Sequence, residues 1–169
     1  MIGTISTIMM LAAPILIIAT GGMICERSGV TNVGLDGLMS IGACTAAIVH
    51  QLLEAAGVGR ISLTVALLAA ALVSMLISVL HAIASVDLKS DQTISGTGIN
   101  LLATGITVFV CQRIYGTDRS TEFKMGMVKD GIGFYPTLYI AIVVVVLAWF
   151  ILYKTPFGMH LRACGEHPA

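Results

Sequence analysis

The sequence predicts an all-α fold, a polytopic transmembrane helical bundle of about five spans whose second helix is broken. Three observations predict it. Of 169 residues, 57% are hydrophobic and 11% charged, whereas a soluble domain carries about 25% charged residues. The chain cannot cover a water-facing surface with charge, so its solvent is membrane lipid. About five stretches stay apolar over the roughly 20 residues a helix needs to cross hydrocarbon. Among them lies ERSGVTNVGLDGLMSIG at 26–42, which is polar, rich in glycine and carries Asp36. Irregular backbone and a carboxylate persist at membrane depth only where protein or a water-filled cavity surrounds them. This stretch is therefore expected to face the inside of a bundle.

The spans follow in order. The first covers residues 5–24, with Pro14 inside and Gly21-Gly22 near its end; neighbouring helices re-satisfy the carbonyl that proline frees. The first positive charge is Arg27, so the basic start of a signal peptide is missing and this segment reads as a retained span. The second covers 30–52, with a break or a 3₁₀ turn expected around 34–37. The third, 61–85, has no Gly or Pro and carries Ala and Ser for close helix packing. The fourth, 92–112, opens on the polar residues Thr93, Ser95, Thr97 and Asn100. The fifth, 135–153, has Tyr135, Tyr139, Trp149 and Tyr153 towards its ends, where aromatic rings favour the interface.

Residues 54–60 and 87–91 read as short turns, 113–133 as a long surface loop, and 154–169 as a polar tail. Arg27, Lys89, Lys154 and Arg162 fall on one side of the membrane, and Arg60, Arg113, Arg119, Lys124 and Lys129 on the other. That division does not orient the chain by its positive charges. The formal net charge is zero, so no nucleic-acid partner is expected.

Asp36 has two compatible readings: a polar group lining a permeation path, or a carboxylate capping a helix that restarts after Gly34. The hydroxyls of the fourth span are expected to bond back to their own helix. Asn100 is expensive to leave unpaired in hydrocarbon and should face other helices. His50 and Glu54, four residues apart near a helix end, read as an ordinary surface pair. Ser95-Gly96 with His81 evokes a serine-protease dyad, but no oxyanion-hole signature accompanies it. The sequence has no zinc-binding HExxH and no phosphate-cradling Walker motif, so no catalysis, metal or cofactor is expected. Cys25, Cys44, Cys111 and Cys164 are scattered without metal or redox spacing and read as small apolar fillers. In the tail, Pro156 and Gly158 end the fifth helix. A short amphipathic turn at 159–162 then leads to Gly165, Glu166, His167 and Pro168.

At these residues the sequence resembles an importer permease of the ATP-binding-cassette (ABC) class, in the branch for branched-chain amino acids, ribose, and simple sugars or nucleosides. ERSGVTNVGLDG at 26–37 is similar to that family's ERSGVINIGLEG. LKSDQTISG at 88–96, followed by Asn100, is similar to its LRADQIVSG. TPFGMHLRACGEHPA at 155–169 is similar to its TPFGLRLRAVGENPxAA, which forms a short cytoplasmic coupling helix. The motifs fall in order along nearly the whole chain. Asp36 stands where the family usually has Glu, and His167 where Asn is common.

The resemblance implies a permease subunit of an ATP-driven importer in the cell membrane, closest to the simple-sugar and nucleoside branch. Residues 1–169 would be a transmembrane permease domain, the N-terminal part of a longer permease, with 155–169 as its cytoplasmic coupling segment. The implied partners are a cytoplasmic ABC ATPase, a second permease subunit and an extracytoplasmic substrate-binding protein. Asn32, Asp36, Ser95 and Asn100 would line the path. Arg162, Gly165, Glu166, His167 and Pro168 would engage the ATPase. A coupling tail in the cytoplasm, with five spans, puts the N-terminus outside. Two other readings compete: a secondary transporter driven by an ion gradient, which broken helices and an intramembrane Asp also suit, and a non-functional permease fragment or membrane scaffold.

Overall fold

A computed structural model of the chain describes residues 2–118 and 133–166. Most of the loop expected at 113–133, together with His167 and Pro168, lies outside the described residues. Six α-helices are described: α1 (Ile2–Arg27), α2 (Leu35–Ala55), α3 (Ile61–Ala82), α4 (Gln92–Tyr115), α5 (Pro136–Lys154) and α6 (Pro156–Glu166). The first five are long and apolar enough to cross a membrane. The chain divides into two units, one holding α1, α5 and α6 and the other α2, α3 and α4.

In the first unit, α1 continues through Pro14. It ends where Ser28-Gly29 provides a stop: Gly29 has φ +85°, its N–H donates to Glu26 O, and the amides of Ser28 and Val30 donate to Cys25 O. A glycine in the left-handed region lets the chain turn back onto the last free carbonyls. The first and fifth helices meet along small residues. Ser6, Ala13 and Thr20 recur at heptad spacing on α1, Ala141 and Ala148 at the same spacing on α5, and all are buried. Small side chains let helix backbones approach closely in lipid, where van der Waals contact drives association. The Ser6 hydroxyl donates to Gly133 O at 2.6 Å, so both helices start at the same end and run parallel.

The step from α5 to α6 is written in Thr155-Pro156. Thr155 is extended, at φ −114° and ψ 150°, and Pro156 takes the first helical position, where its missing N–H costs nothing. The Thr155 hydroxyl donates to Ile151 O at 2.6 Å and accepts from the Gly158 amide at 3.3 Å. One side chain thus closes α5 and caps α6. Thr155→Ala is expected to cost about 1 kcal/mol, seen as faster amide exchange at Gly158 and Met159; unchanged exchange would show that the hydroxyl is not the cap.

In the second unit, α3 runs antiparallel to α2 and α4 runs parallel to it. Ser62, Ala66 and Ala70 are buried on α3. One turn further on, Ser74 donates to Leu38 O at 3.2 Å. This is the close packing expected from the Ala and Ser content of that span. The third span ends in a π-helical turn, Ile83–Asp87, and Asp91 caps α4 by accepting the amides of Thr93 and Ile94 at 2.8 and 3.1 Å.

Two expectations change here. His50 and Glu54 are not a surface pair. Their side chains are 6% and 9% exposed, His50 Nε2 lies 3.3 Å from Glu54 Oε1, and His50 Nδ1 lies 3.1 Å from Ser62 Oγ. The start of α3 folds over the end of α2 and covers the pair. The cysteines are not all isolated either, since Cys44 Sγ and Cys111 Sγ are 3.9 Å apart across α2 and α4.

Candidate functional site

The second span is not broken within its helix, since α2 is continuous from Leu35 to Ala55; the irregular stretch precedes it, and a side chain from the fourth span holds the turn there. Residues 28–34 are not helical, and α2 begins at Leu35, later than the expected start at residue 30. The turn leaves Val33 O and Gly37 N without helical partners. Asn100, from α4, supplies both: its Nδ2 donates to Val33 O at 3.0 Å, and its Oδ1 accepts from Gly37 N at 2.7 Å. Glycines make the approach possible. A Cβ on Gly37 would sit 2.9 Å from Asn100 Cα and Oδ1, and one on Gly96 would sit 2.8 Å from Gly34 N. Asn100 is thus directed at the backbone of the turn, as its cost in hydrocarbon requires.

Asp36 is exposed and lies in the first turn of α2. A carboxylate there is favoured by the positive end of the helix dipole. It is not the cap: the cap position is Gly34, with no side-chain bond. Thr97, Thr104 and Thr107 each donate to a carbonyl of their own helix four residues back, as expected for hydroxyls in lipid. Thr93, Ile94, Thr97, Gly98 and Leu101 line an open groove of about 340 Å³ along α4. Asn32 is half-buried in the other unit.

Ser95 meets His81, with Ser95 Oγ 3.0 Å from His81 Nδ1. His81 is 3% exposed, and its Nε2 has no partner among the described residues. A catalytic base is itself oriented by a third group on its other nitrogen. With none here, the pair is an interhelical hydrogen bond between α3 and α4.

The last helix is an arm pinned at both ends within its own unit. Near its start, a Cβ on Gly158 would collide with the carbonyls of Ile151 and Leu152. In its middle, the Arg162 guanidinium lies over the Tyr153 ring at 5.0 Å from the centroid, and its Nε donates to Gly158 O at 3.3 Å. Near its end, Gly165 meets the turn after α1: a Cβ there would strike Arg27 O and come within 3.0 Å of Gly29 N. Arg162 and Gly165 therefore hold the arm in place. Phe157, Met159, His160, Ala163, Cys164 and Glu166 are exposed. The three-residue and four-residue spacing of Met159, Ala163 and Glu166 could have marked this outward face in the sequence.

The arm and the bridged turn before α2 are formed by residues of the three motifs at 26–37, 88–100 and 155–169. The sequence matches the family described as "Branched-chain amino acid transport system / permease component" over residues 4–169. The chain belongs to this permease family. It is 42% identical over 172 residues to the guanosine ABC transporter permease protein NupQ of Bacillus subtilis (strain 168), covering 93% of this chain and 54% of that protein. It is 34% identical over 184 residues to the nucleoside ABC transporter permease protein NupC of Lactococcus lactis subsp. cremoris (strain MG1363), covering 97% of this chain and 56% of that one. The permease chain spans about half the length of these curated relatives. No solved structure matches it. Family membership and five apolar helices make it a multi-pass protein of the cell membrane, and the family points away from an enzyme.

Proposed function

We propose that the chain forms part of the permease of an ATP-driven importer, with nucleosides as the substrate class ahead of simple sugars, and that α6 couples it to a cytoplasmic ATPase. The observation that carries this reading is the pinned arm. A force on α6 reaches α5 through Thr155 and Tyr153, and the end of α1 through Gly165, because these contacts leave little room to yield. An exposed apolar helix face joined rigidly to two membrane helices suits a groove in a protein that moves. Residues 155–169 act as the coupling segment, with Glu166, His167 and Pro168 assigned to ATPase recognition. Asn32, Asp36, Ser95 and Asn100 lie along or behind the path, with Asp36 and the Thr93–Thr97 groove exposed to it and Asn100 shaping it. A second permease subunit completes the path, and an extracytoplasmic binding protein delivers the substrate. The names of the relatives support the nucleoside assignment.

Met159→Glu puts a charge on the exposed face at a residue that is 62% exposed and leaves the pinning contacts alone. In the complete permease, co-purification of the neighbouring ATPase is expected to fall at least tenfold while membrane insertion is unchanged. Equal recovery of the ATPase would remove α6 as the coupling element. Labelled guanosine uptake, competed by unlabelled nucleosides but not by glucose, tests the substrate class; competition by glucose alone would reverse it.

A further inference from the structure

We propose that Cys44 and Cys111 form a thiol pair that a lipid-soluble organic hydroperoxide oxidises to a disulfide, tying α2 covalently to α4. The two sulfurs are already in contact, at 3.9 Å, from residues far apart in the sequence and on helices that run parallel within one unit. A disulfide needs sulfurs about 2.05 Å apart and Cα atoms within roughly 7 Å. The packing of α2 on α4 favours that approach. Gly37 lies against Asn100 and Ala103, Ala103 is completely buried, and both cysteines lie about two turns further along their helices. The sulfurs need to close by about 2 Å to bond. Tyr115, one turn beyond Cys111, has a buried hydroxyl with no partner among the described residues.

The chemistry closes without a metal or cofactor. One cysteine sulfur attacks the peroxide, and its thiol proton passes to the departing alkoxide. The O–O bond breaks, an alcohol leaves, and the sulfur becomes a sulfenic acid. The second thiol attacks that sulfur, the S–S bond forms, the S–O bond breaks and water leaves. Two thiols give up two electrons to one hydroperoxide, yielding one disulfide, one alcohol and one water. A thiol reductant reverses the tie. Cys25 and Cys164 belong to the other unit and serve as internal controls, Cys164 being exposed.

The test uses the full chain in proteoliposomes, exposed to cumene hydroperoxide, denatured in detergent and labelled with a mass-tagged maleimide. The expected result is that Cys44 and Cys111 lose labelling together, regain it after dithiothreitol, and appear as one cross-linked peptide pair on digestion. C44S and C111S should each abolish the cross-linked peptide. The proposal is overturned if doses that oxidise Cys164 give no Cys44–Cys111 peptide. Neither readout depends on transport, so the result is independent of the importer reading.

Discussion

Asn100→Leu is expected to destabilise the second unit by roughly 2 kcal/mol and to abolish uptake by the complete permease. Leucine fills a similar volume but offers no hydrogen bond, so Val33 O and Gly37 N lose their partners together. A fully buried polar group stripped of its partner costs about 1–3 kcal/mol; here the bond to Gly37 N is part-buried and that to Val33 O is exposed, so the two together stand nearer the cost of one buried group. Interhelical hydrogen bonds in membranes often measure below that, because the displaced group finds another partner. Here the displaced groups are backbone atoms of a turn packed against Gly96, with little freedom to find one. A loss of about 2 kcal/mol lowers the unfolding midpoint by roughly 4–8 °C in a chain of this size. The checks are thermal unfolding in detergent and uptake in proteoliposomes. Asn100→Asp separates two explanations, since it keeps an acceptor for Gly37 N but sets a carboxylate against Val33 O. If Asn100 touches substrate instead of holding the turn, Asn100→Leu will change the concentration dependence of uptake and leave the unfolding midpoint in place. That outcome would sink the bridging role.

Much of this was readable from the residues. Five runs of apolar sequence gave five long helices, because length and composition decide what crosses a bilayer. The turn before α2 was legible in Gly34, although Gly37 lies inside a continuous helix instead of at a break, and the need to satisfy Asn100 was legible from its cost in lipid. Its particular partners were not, since nothing local relates Asn100 to Val33 and Gly37, 67 and 63 residues away. The same limit hid the Cys44–Cys111 contact and the Ser62 hydroxyl on His50, each created when two helices pack. The seam of Ser6, Ala13 and Thr20 was different. Its heptad spacing lay in plain view, but small residues in an apolar run look like filler until a second helix shows the same period. Gly165 was legible only as part of a motif; that it packs on the turn at Arg27–Gly29, which leaves no room for a Cβ, depends on two distant segments meeting.

Gly158→Ala tests whether the arm transmits force because it is rigid. Even one methyl group would collide with the carbonyls of Ile151 and Leu152, and would lie 2.6 Å from Leu152 C. Contacts this short against backbone have no side chain that can swing away, so the elbow between α5 and α6 must open. Opening it separates the Gly158 amide from the Thr155 hydroxyl and lifts Arg162 from Tyr153. The five membrane helices do not depend on that elbow, so insertion and yield are expected to stay near normal. Protease should cut within α6, and both ATPase co-purification and uptake should fall at least tenfold. Comparison with Met159→Glu gives the result its meaning. Both variants should release the ATPase, but only Gly158→Ala should expose α6 to protease, because only it moves the arm. If Gly158→Ala keeps the ATPase, the uptake and the protease resistance of the unaltered chain, then the elbow tolerates a methyl group and rigidity is not what couples α6 to the membrane helices.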